Sequence, residues 1–211
     1  MLDLSRKLVD ELVLDDEVYP LDLSFGNVLV LFDMLHDEDV IDLVKPYLAL
    51  RILLDTRKVE YRKRVKDFVA SLSIEEAMEI FEAIQTEHIS PPNPLDEVEE
   101  YDLAGNLLTK KPKTQDGEEA IGKAPSFSLK YDGNYIYSSF LQAYGIDLLE
   151  VQGSLHWLKF NALINGLPDN TKLMQVMQIR NWKPQDGDKA DRISKMRRLQ
   201  EQYALPSCVE Y

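Results

Sequence analysis

Apolar residues recur three and four positions apart through most of this chain, and this spacing constrains the fold more than any other feature. Phe25, Val28 and Phe32 show it first, and similar stretches run from 57 to 72 and from 74 to 87. The spacing returns after Phe127. Because residues three and four apart share one face of an α-helix, the pattern predicts a mainly α protein built from helical bundle modules.

Signals for helix ends divide the pattern into short helices. Ser73 stands three residues before Glu76, the spacing of a capping box. Gly145 suits the left-handed residue that closes a helix, and Ser154 suits the start of the next one. These residues predict helix boundaries at all three positions.

The segment before Pro46 is predicted to be helical as well. Asp37 or Asp39 is suited to cap it, and the apolar residues from Val40 to Val44 follow. Proline is tolerated in the first turn of a helix and breaks a helix interior. We therefore expect two helices divided near Lys45.

Residues 8–23 have two interpretations. Two short apolar runs, Leu8–Leu14 and Val18–Leu23, flank an acidic turn, which predicts a short N-terminal β-hairpin. A helix over Leu4–Val13 fits the same residues almost equally well.

The chain is predicted to have two unlike modules. Residues 1–90 form an acidic N-terminal helical module, 91–126 a linker or mobile insert without sustained hydrophobic period, and 127–206 a C-terminal helical module. Residues 1–126 contain 14 basic and 28 acidic residues, whereas residues 127–211 contain 10 and 9. We expect the two surfaces to meet different partners.

Charge and composition exclude several classes of protein. The formal net charge of −13 argues against a protein that coats nucleic acid or an anionic membrane. The longest apolar run, Val28–Phe32, is far shorter than the roughly 20 residues that cross a bilayer. The largely acidic start lacks the pattern of a signal peptide, because acidic residues interrupt the sequence soon after Arg6 and Lys7. Cys208 is the one cysteine, so an intrachain disulfide cannot form. These features predict a cytoplasmic protein.

No catalytic, metal-binding or cofactor-binding motif is present in the sequence. The histidines, His36, His88 and His156, lack the spacing of a helical metal pair, and glycine-rich phosphate loops are absent. Acidic pairs are so abundant near the N-terminus that they do not indicate acid–base chemistry. We expect a protein that is not an enzyme, with an enzyme assembled from scattered carboxylates as the weaker alternative.

A basic run and an aromatic series are the two candidates for a binding surface. The run from Arg57 to Lys66 is interpreted first as intramolecular pairing or a solubilising surface, second as a site for an acidic protein and third as a nucleic-acid site. Aromatic residues at helical spacing are interpreted mainly as core, with some left as interface anchors. The candidate partner-binding residues are Tyr135, Tyr137, Tyr144, Trp157, Phe160 and Trp182.

Part of the C-terminal sequence resembles a known family. The matching residues are Asp132, Tyr135–Tyr137, Phe140, Tyr144–Leu148 and Leu155–Pro168. They resemble a family of bacteriophage tail-assembly chaperones from long-tailed phages and prophages of Gram-positive bacteria, catalogued by phage gene-product number fifteen. The start of the chain, Leu8–Phe32, is similar more weakly.

The resemblance implies a role without catalysis. Such chaperones bind the aggregation-prone tape-measure protein in the host cytoplasm, help to recruit the major tail protein around it, and leave before the virion is complete. A second chaperone or a second copy of the chain is a further expected partner. The alternative function is a structural tail or connector component that stays in the virion.

Overall fold

A computed structural model describes residues 5, 8–14, 16–54, 57, 59–89, 127–185 and 187–206. These residues form two compact units. The first combines the described residues within 1–89 with Leu149–Leu163, and the second combines those within 127–148 and 164–206. The sequence prediction differs, because it placed all of 127–206 in one module. The predicted linker at 91–126 lies outside the described residues.

The first unit starts with a β-hairpin. β1 (Glu11–Leu14) pairs antiparallel with β2 (Glu17–Pro20), and Val13 lies opposite Val18. In the tight turn Asp16 has a φ of 63°, a left-handed conformation that aspartate adopts more readily than most residues. The hairpin interpretation is confirmed, and the alternative of a helix through Val13 is wrong.

Within the described residues up to 89, four α-helices follow the hairpin in the first unit. They are α1 (Phe25–Leu35), α2 (Lys45–Leu53), α3 (Val59–Ser71) and α4 (Ile74–Ile84), and a π-helical turn extends α4. α2 packs against the other three helices, so their aliphatic faces form one core. Its buried side chains include Val28, Leu31, Ala49, Leu50, Leu53, Val65, Val69, Ala77 and Ile84.

The capping box at Ser73 is confirmed. The Ser73 hydroxyl oxygen accepts a hydrogen bond from the Glu76 N–H at 3.2 Å, and a Glu76 carboxylate oxygen accepts one from the Ser73 N–H at 2.7 Å. The hydrogen bond from the Ser73 backbone is the largest cause that lowers the pKa of Glu76 below its ordinary value. Two backbone donors at the start of α4 are thereby satisfied.

The predicted helix between Asp37 and Val44 is wrong. The chain leaves α1 in a loop and makes only a short 3₁₀ turn, Asp42–Val44, before α2. The Asp37 side chain accepts a hydrogen bond from the Asp39 N–H at 2.9 Å, a local turn that competes with helix. Pro46 lies in the first turn of α2, as expected.

Residues distant in sequence complete the first unit. The Phe25 N–H donates to the Leu155 carbonyl at 2.7 Å, and the Trp157 N–H donates to the Leu23 carbonyl at 2.8 Å. These bonds join the start of α1 to the segment that leads into α6 (Trp157–Asn165). Leu149–Leu163 therefore belongs with the N-terminal helices rather than with the C-terminal ones.

Two local contacts fix this segment. A Cβ atom at Gly26 would lie 3.1 Å from the Cβ and carbonyl oxygen of Gln152, so glycine permits the close approach. The His156 ring nitrogen Nδ1 accepts the Leu158 N–H at 3.0 Å, in the first turn of α6. Ser154 does not start this helix, so its predicted capping role is wrong.

The second unit contains three helices within its described residues besides the end of α6. They are α5 (Gly133–Tyr144), α7 (Lys172–Asn181) and α8 (Ala190–Gln202), and α7 packs against both others. Gly145 ends α5 with a φ of 66°, as predicted. The mainly α fold predicted from the sequence is confirmed.

A buried ion pair stabilises the second unit. The Arg180 guanidinium donates to both carboxylate oxygens of Asp132, at 2.6 and 2.8 Å, and also to the Tyr203 carbonyl at 2.6 Å. Asp132 also accepts the Ser128 N–H at 2.9 Å. Because both charged groups are well satisfied, the pair holds α7 to the segments before α5 and after α8.

Candidate protein-binding surface

Two of the aromatic residues predicted for partner binding are buried in the first unit. Trp157 and Phe160 are 5% and 1% exposed. The Trp157 ring packs with Phe25, Phe32 and Phe160 at centroid distances of 6.5, 5.4 and 5.4 Å. Its indole N–H donates to the Ile89 carbonyl at 2.9 Å. Both side chains therefore pack as core residues.

The other four candidates lie in the second unit and are half-buried. The Tyr137 hydroxyl donates to an Asp147 carboxylate oxygen at 2.9 Å. Tyr135 and Tyr144 make edge contacts with Tyr203 and Phe140, respectively. Trp182 ends α7, where its carbonyl accepts the Gln200 side-chain amide at 2.8 Å. Each is tied to its own unit by a contact of its ring, hydroxyl or backbone.

Exposed aliphatic side chains form a different surface, on the hairpin. Val13 and Val18 face each other across the strands, and Val9, two residues before Glu11, continues the alternation on the same face. Val9 and Val13 are 63% and 62% exposed, and Val18 is also exposed. We call Val9, Val13 and Val18 the hairpin face.

The opposite side of the hairpin is held against α3. Tyr19 is buried and stacks on Phe68 at 4.4 Å, with the Arg64 guanidinium 4.4 Å from its ring centroid. Arg64 also donates to the Val18 carbonyl at 3.0 Å and pairs with Glu17 at 3.2 Å. Burial, followed by the hydrogen bond to Glu17, raises the pKa of Tyr19. At Arg64 the basic run therefore pairs within the molecule, and the valines stay on the outer side.

A second exposed apolar surface lies between α1 and α2. Ile41, Leu43 and Val44 are 72%, 57% and 42% exposed. Four carboxylates accompany them within eight residues, Asp37, Glu38, Asp39 and Asp42, all of them exposed. We call residues 37–44 the acidic loop. Single exposed aliphatic residues are common, but a contiguous group in a charged surrounding is typical of a protein-binding site.

The described residues offer little that resembles a reaction centre. Within them, no group of three or more His, Cys, Asp or Glu side chains is arranged to hold a metal ion. The His156 ring is used at both nitrogens, because Nε2 lies 3.0 Å from an Asp10 carboxylate oxygen while Nδ1 accepts the backbone of α6. None of the helices in this part of the chain has the length and apolarity to cross a bilayer.

Comparison with protein families decides the affiliation. The family model described as "Bacteriophage Gp15 protein" matches residues 5–205, nearly the whole chain. The chain belongs to this family. No curated protein and no solved structure matches it.

As a Gp15 family member, the chain is a bacteriophage protein, and the family indicates a structural or assembly role. The resemblance found in the sequence is therefore confirmed at the level of the family. Neither the exposed side chains of the hairpin face nor those of the acidic loop are among the residues that the sequence predicts for partner binding. The available signal was an alternating valine pattern beside an acidic turn, and a run of aliphatic and acidic residues without a helical period.

Proposed function

We propose that this Gp15 family protein is a tail-assembly chaperone that binds the phage tape-measure protein and assists tail-tube assembly without catalysis. It acts in the host cytoplasm and leaves before the virion is complete. The major tail protein, a second chaperone or a second copy of the chain are its further partners.

The observation that carries the proposal is the hairpin face. A chaperone must offer apolar surface to a client without aggregating itself, and Val9, Val13 and Val18 are exposed on an element that is anchored from its other side by Tyr19 and Arg64. The acidity of the chain helps to keep such a surface soluble, because a net charge of −13 opposes non-specific aggregation. Family membership supplies the phage context.

Co-expression with the tape-measure protein tests the proposal. The tape-measure frame is the longest helical reading frame encoded nearby, and its product is expressed with and without this chain. We expect the client to be soluble only in a complex that co-elutes in size-exclusion chromatography. A client whose solubility is unchanged, together with this chain in purified particles, would replace the proposal by the structural-component alternative.

The hairpin face is tested in the same assay. Val13→Thr with Val18→Thr keeps β-branched side chains and removes apolar surface, so we expect the fold to persist and the complex to weaken. The matched control is Tyr131→Gln with Leu141→Gln, which removes two exposed apolar side chains from the second unit. Equal loss of complex in both variants would contradict a specific role of the hairpin face.

A further inference from the structure

The acidic loop combines exposed aliphatic side chains with a dense negative charge. Ile41 and Leu43 are more than half exposed, and Val44 lies directly beside them in the 3₁₀ turn. The loop contains no lysine or arginine. The first cation after it, Lys45, is paired with Asp42 at 2.8 Å.

This pairing leaves the negative charge concentrated at one end of the loop. Asp37, Glu38 and Asp39 are consecutive and exposed. Asp33, four residues before Asp37, is also exposed near the end of α1, on the side of that helix that includes Val30. An apolar patch bordered by carboxylates is complementary to a segment that has apolar residues along one stripe and cations beside them.

We propose that the acidic loop docks a basic amphipathic helix of a partner protein. Ile41 and Leu43 contact the apolar stripe of that helix, and the carboxylates of residues 37–39 face its lysine or arginine side chains. An amphipathic helix matches the apolar patch and its bordering carboxylates. Residues three and four apart lie on one side of a helix, so an apolar stripe and the cations beside it can contact the patch together. The inference rests on the proposed function in one respect: it states the chemistry of the partner segment that the assembly protein binds.

Binding of synthetic peptides to the full-length chain tests the proposal without the phage client. The probe is a labelled amphipathic helical peptide with a leucine stripe flanked by lysines, and its matched partner has glutamate at every lysine position. Fluorescence anisotropy should detect binding of the lysine peptide only. Raising sodium chloride from about 0.1 M to about 1 M shortens the Debye length from about 10 to about 3 Å and should weaken that binding.

Two variants locate the site. Asp37→Asn, Glu38→Gln and Asp39→Asn remove three charges and keep an acceptor at residue 37, and we expect about a tenfold loss of affinity and a weaker salt dependence. The control, Glu75→Gln, Glu79→Gln and Glu82→Gln, removes three exposed charges from α4 and should leave affinity within about twofold.

The second variant removes the apolar part of the surface. Ile41→Thr with Leu43→Gln should also reduce affinity about tenfold at either salt concentration, because it removes the aliphatic contacts and leaves the charges. A circular dichroism melt confirms that each variant is folded, as expected for exposed positions.

Three results would overturn the proposal. The first is equal binding of the lysine and glutamate peptides, and the second is an equal effect of the loop and α4 charge variants. The third is a concentration-dependent dimer in sedimentation velocity that the Ile41→Thr and Leu43→Gln variant abolishes, which would identify a second copy as the occupant. Because no client is present, failure here leaves the co-expression result on tape-measure binding unaffected.

Discussion

Substitution of Trp157 by alanine should strongly destabilise the first unit. A buried tryptophan replaced by alanine costs about 3–5 kcal/mol. The upper end applies here, because three aromatic neighbours lose a ring contact worth about 0.5–1.5 kcal/mol each beyond burial. The Ile89 carbonyl, 2.9 Å from the indole nitrogen, also loses its donor. We expect a loss of about 5 kcal/mol in the free energy of unfolding.

Phenylalanine at the same position separates packing from hydrogen bonding. Trp157→Phe keeps an aromatic ring among its neighbours and removes the N–H donor. An unsatisfied buried carbonyl costs about 1–3 kcal/mol, so this variant should lie between wild type and Trp157→Ala. The exposed position Val9 provides the control, because Val9→Ala should change stability by no more than about 0.5 kcal/mol.

The two tryptophans allow the assay to be assigned to a unit. Trp157 lies in the first unit and Trp182 in the second, and the chain contains no other tryptophan. Urea unfolding is followed by far-UV circular dichroism for the whole chain. In a Trp182→Phe protein the fluorescence comes from Trp157 and reports unfolding of the first unit. In the Trp157 variants it comes from Trp182 and reports unfolding of the second unit.

One result would refute the core interpretation of Trp157. If Trp157→Ala unfolds at the wild-type urea concentration and yet no longer forms a complex with the tape-measure protein, the side chain acts at an interface. If Trp157→Ala loses both stability and complex formation, the Trp157→Phe variant distinguishes a core role from an interface role. A stable Phe variant that still binds its client shows that an aromatic ring at residue 157 serves the packing of the core and that the indole is not required for binding.

Three further substitutions test other features of the fold. Arg180→Met leaves a carboxylate buried without its partner and should cost about 3–5 kcal/mol in urea unfolding of the second unit; a cost below about 1 kcal/mol would contradict its structural role. Ser73→Ala should cost about 1 kcal/mol at neutral pH. The backbone N–H of residue 73, the largest cause that lowers the pKa of Glu76, is retained in Ser73→Ala. The contribution of Glu76 should therefore be present above its unfolded pKa in both proteins, and both should lose it as the pH falls through the folded pKa. Gly26→Ala should destabilise by about 1 kcal/mol, since its Cβ would press on a backbone oxygen, whereas Gly133→Ala, with open space around its Cβ, should not; thermal melts that rank them in the opposite order would exclude this explanation.

Features decided by neighbouring residues could be predicted from the sequence. The capping box at Ser73 and the left-handed cap at Gly145 depend on side chains and backbone within one or two turns, so their residue types indicate them directly. For the hairpin, the sequence supports two interpretations almost equally. The structure decides for it because Tyr19 and Arg64 fasten β2 to α3, and these contacts join residues more than forty positions apart.

Features decided by distant residues could not be predicted. The periodicity of Trp157 and Phe160 indicated a buried helix, and nothing in it indicated that Phe25 and Phe32 would be the neighbours. The modules predicted from the sequence follow a break in composition, whereas the compact units of the structure follow contacts between distant residues. In the acidic loop the Asp39 N–H donates to the Asp37 side chain, and this local turn competes with a helix. The spacing of apolar residues gives no information about such a hydrogen bond.

The distribution of accessible apolar side chains changes where partner recognition should be sought. Aromatic residues suggested the C-terminal sequence, but the tyrosines there are half-buried and engaged with their own unit. The hairpin face and the acidic loop both belong to the first unit. Among the residues that the structure describes, four of the five large hydrophobic side chains with the largest exposed fractions belong to these two surfaces. Aliphatic side chains in an acidic surrounding combine apolar contact with repulsion between copies of the chain. A Gp15 protein that recognises its client through this unit should lose binding when these surfaces are made polar, while substitution of Tyr137 should act mainly on stability.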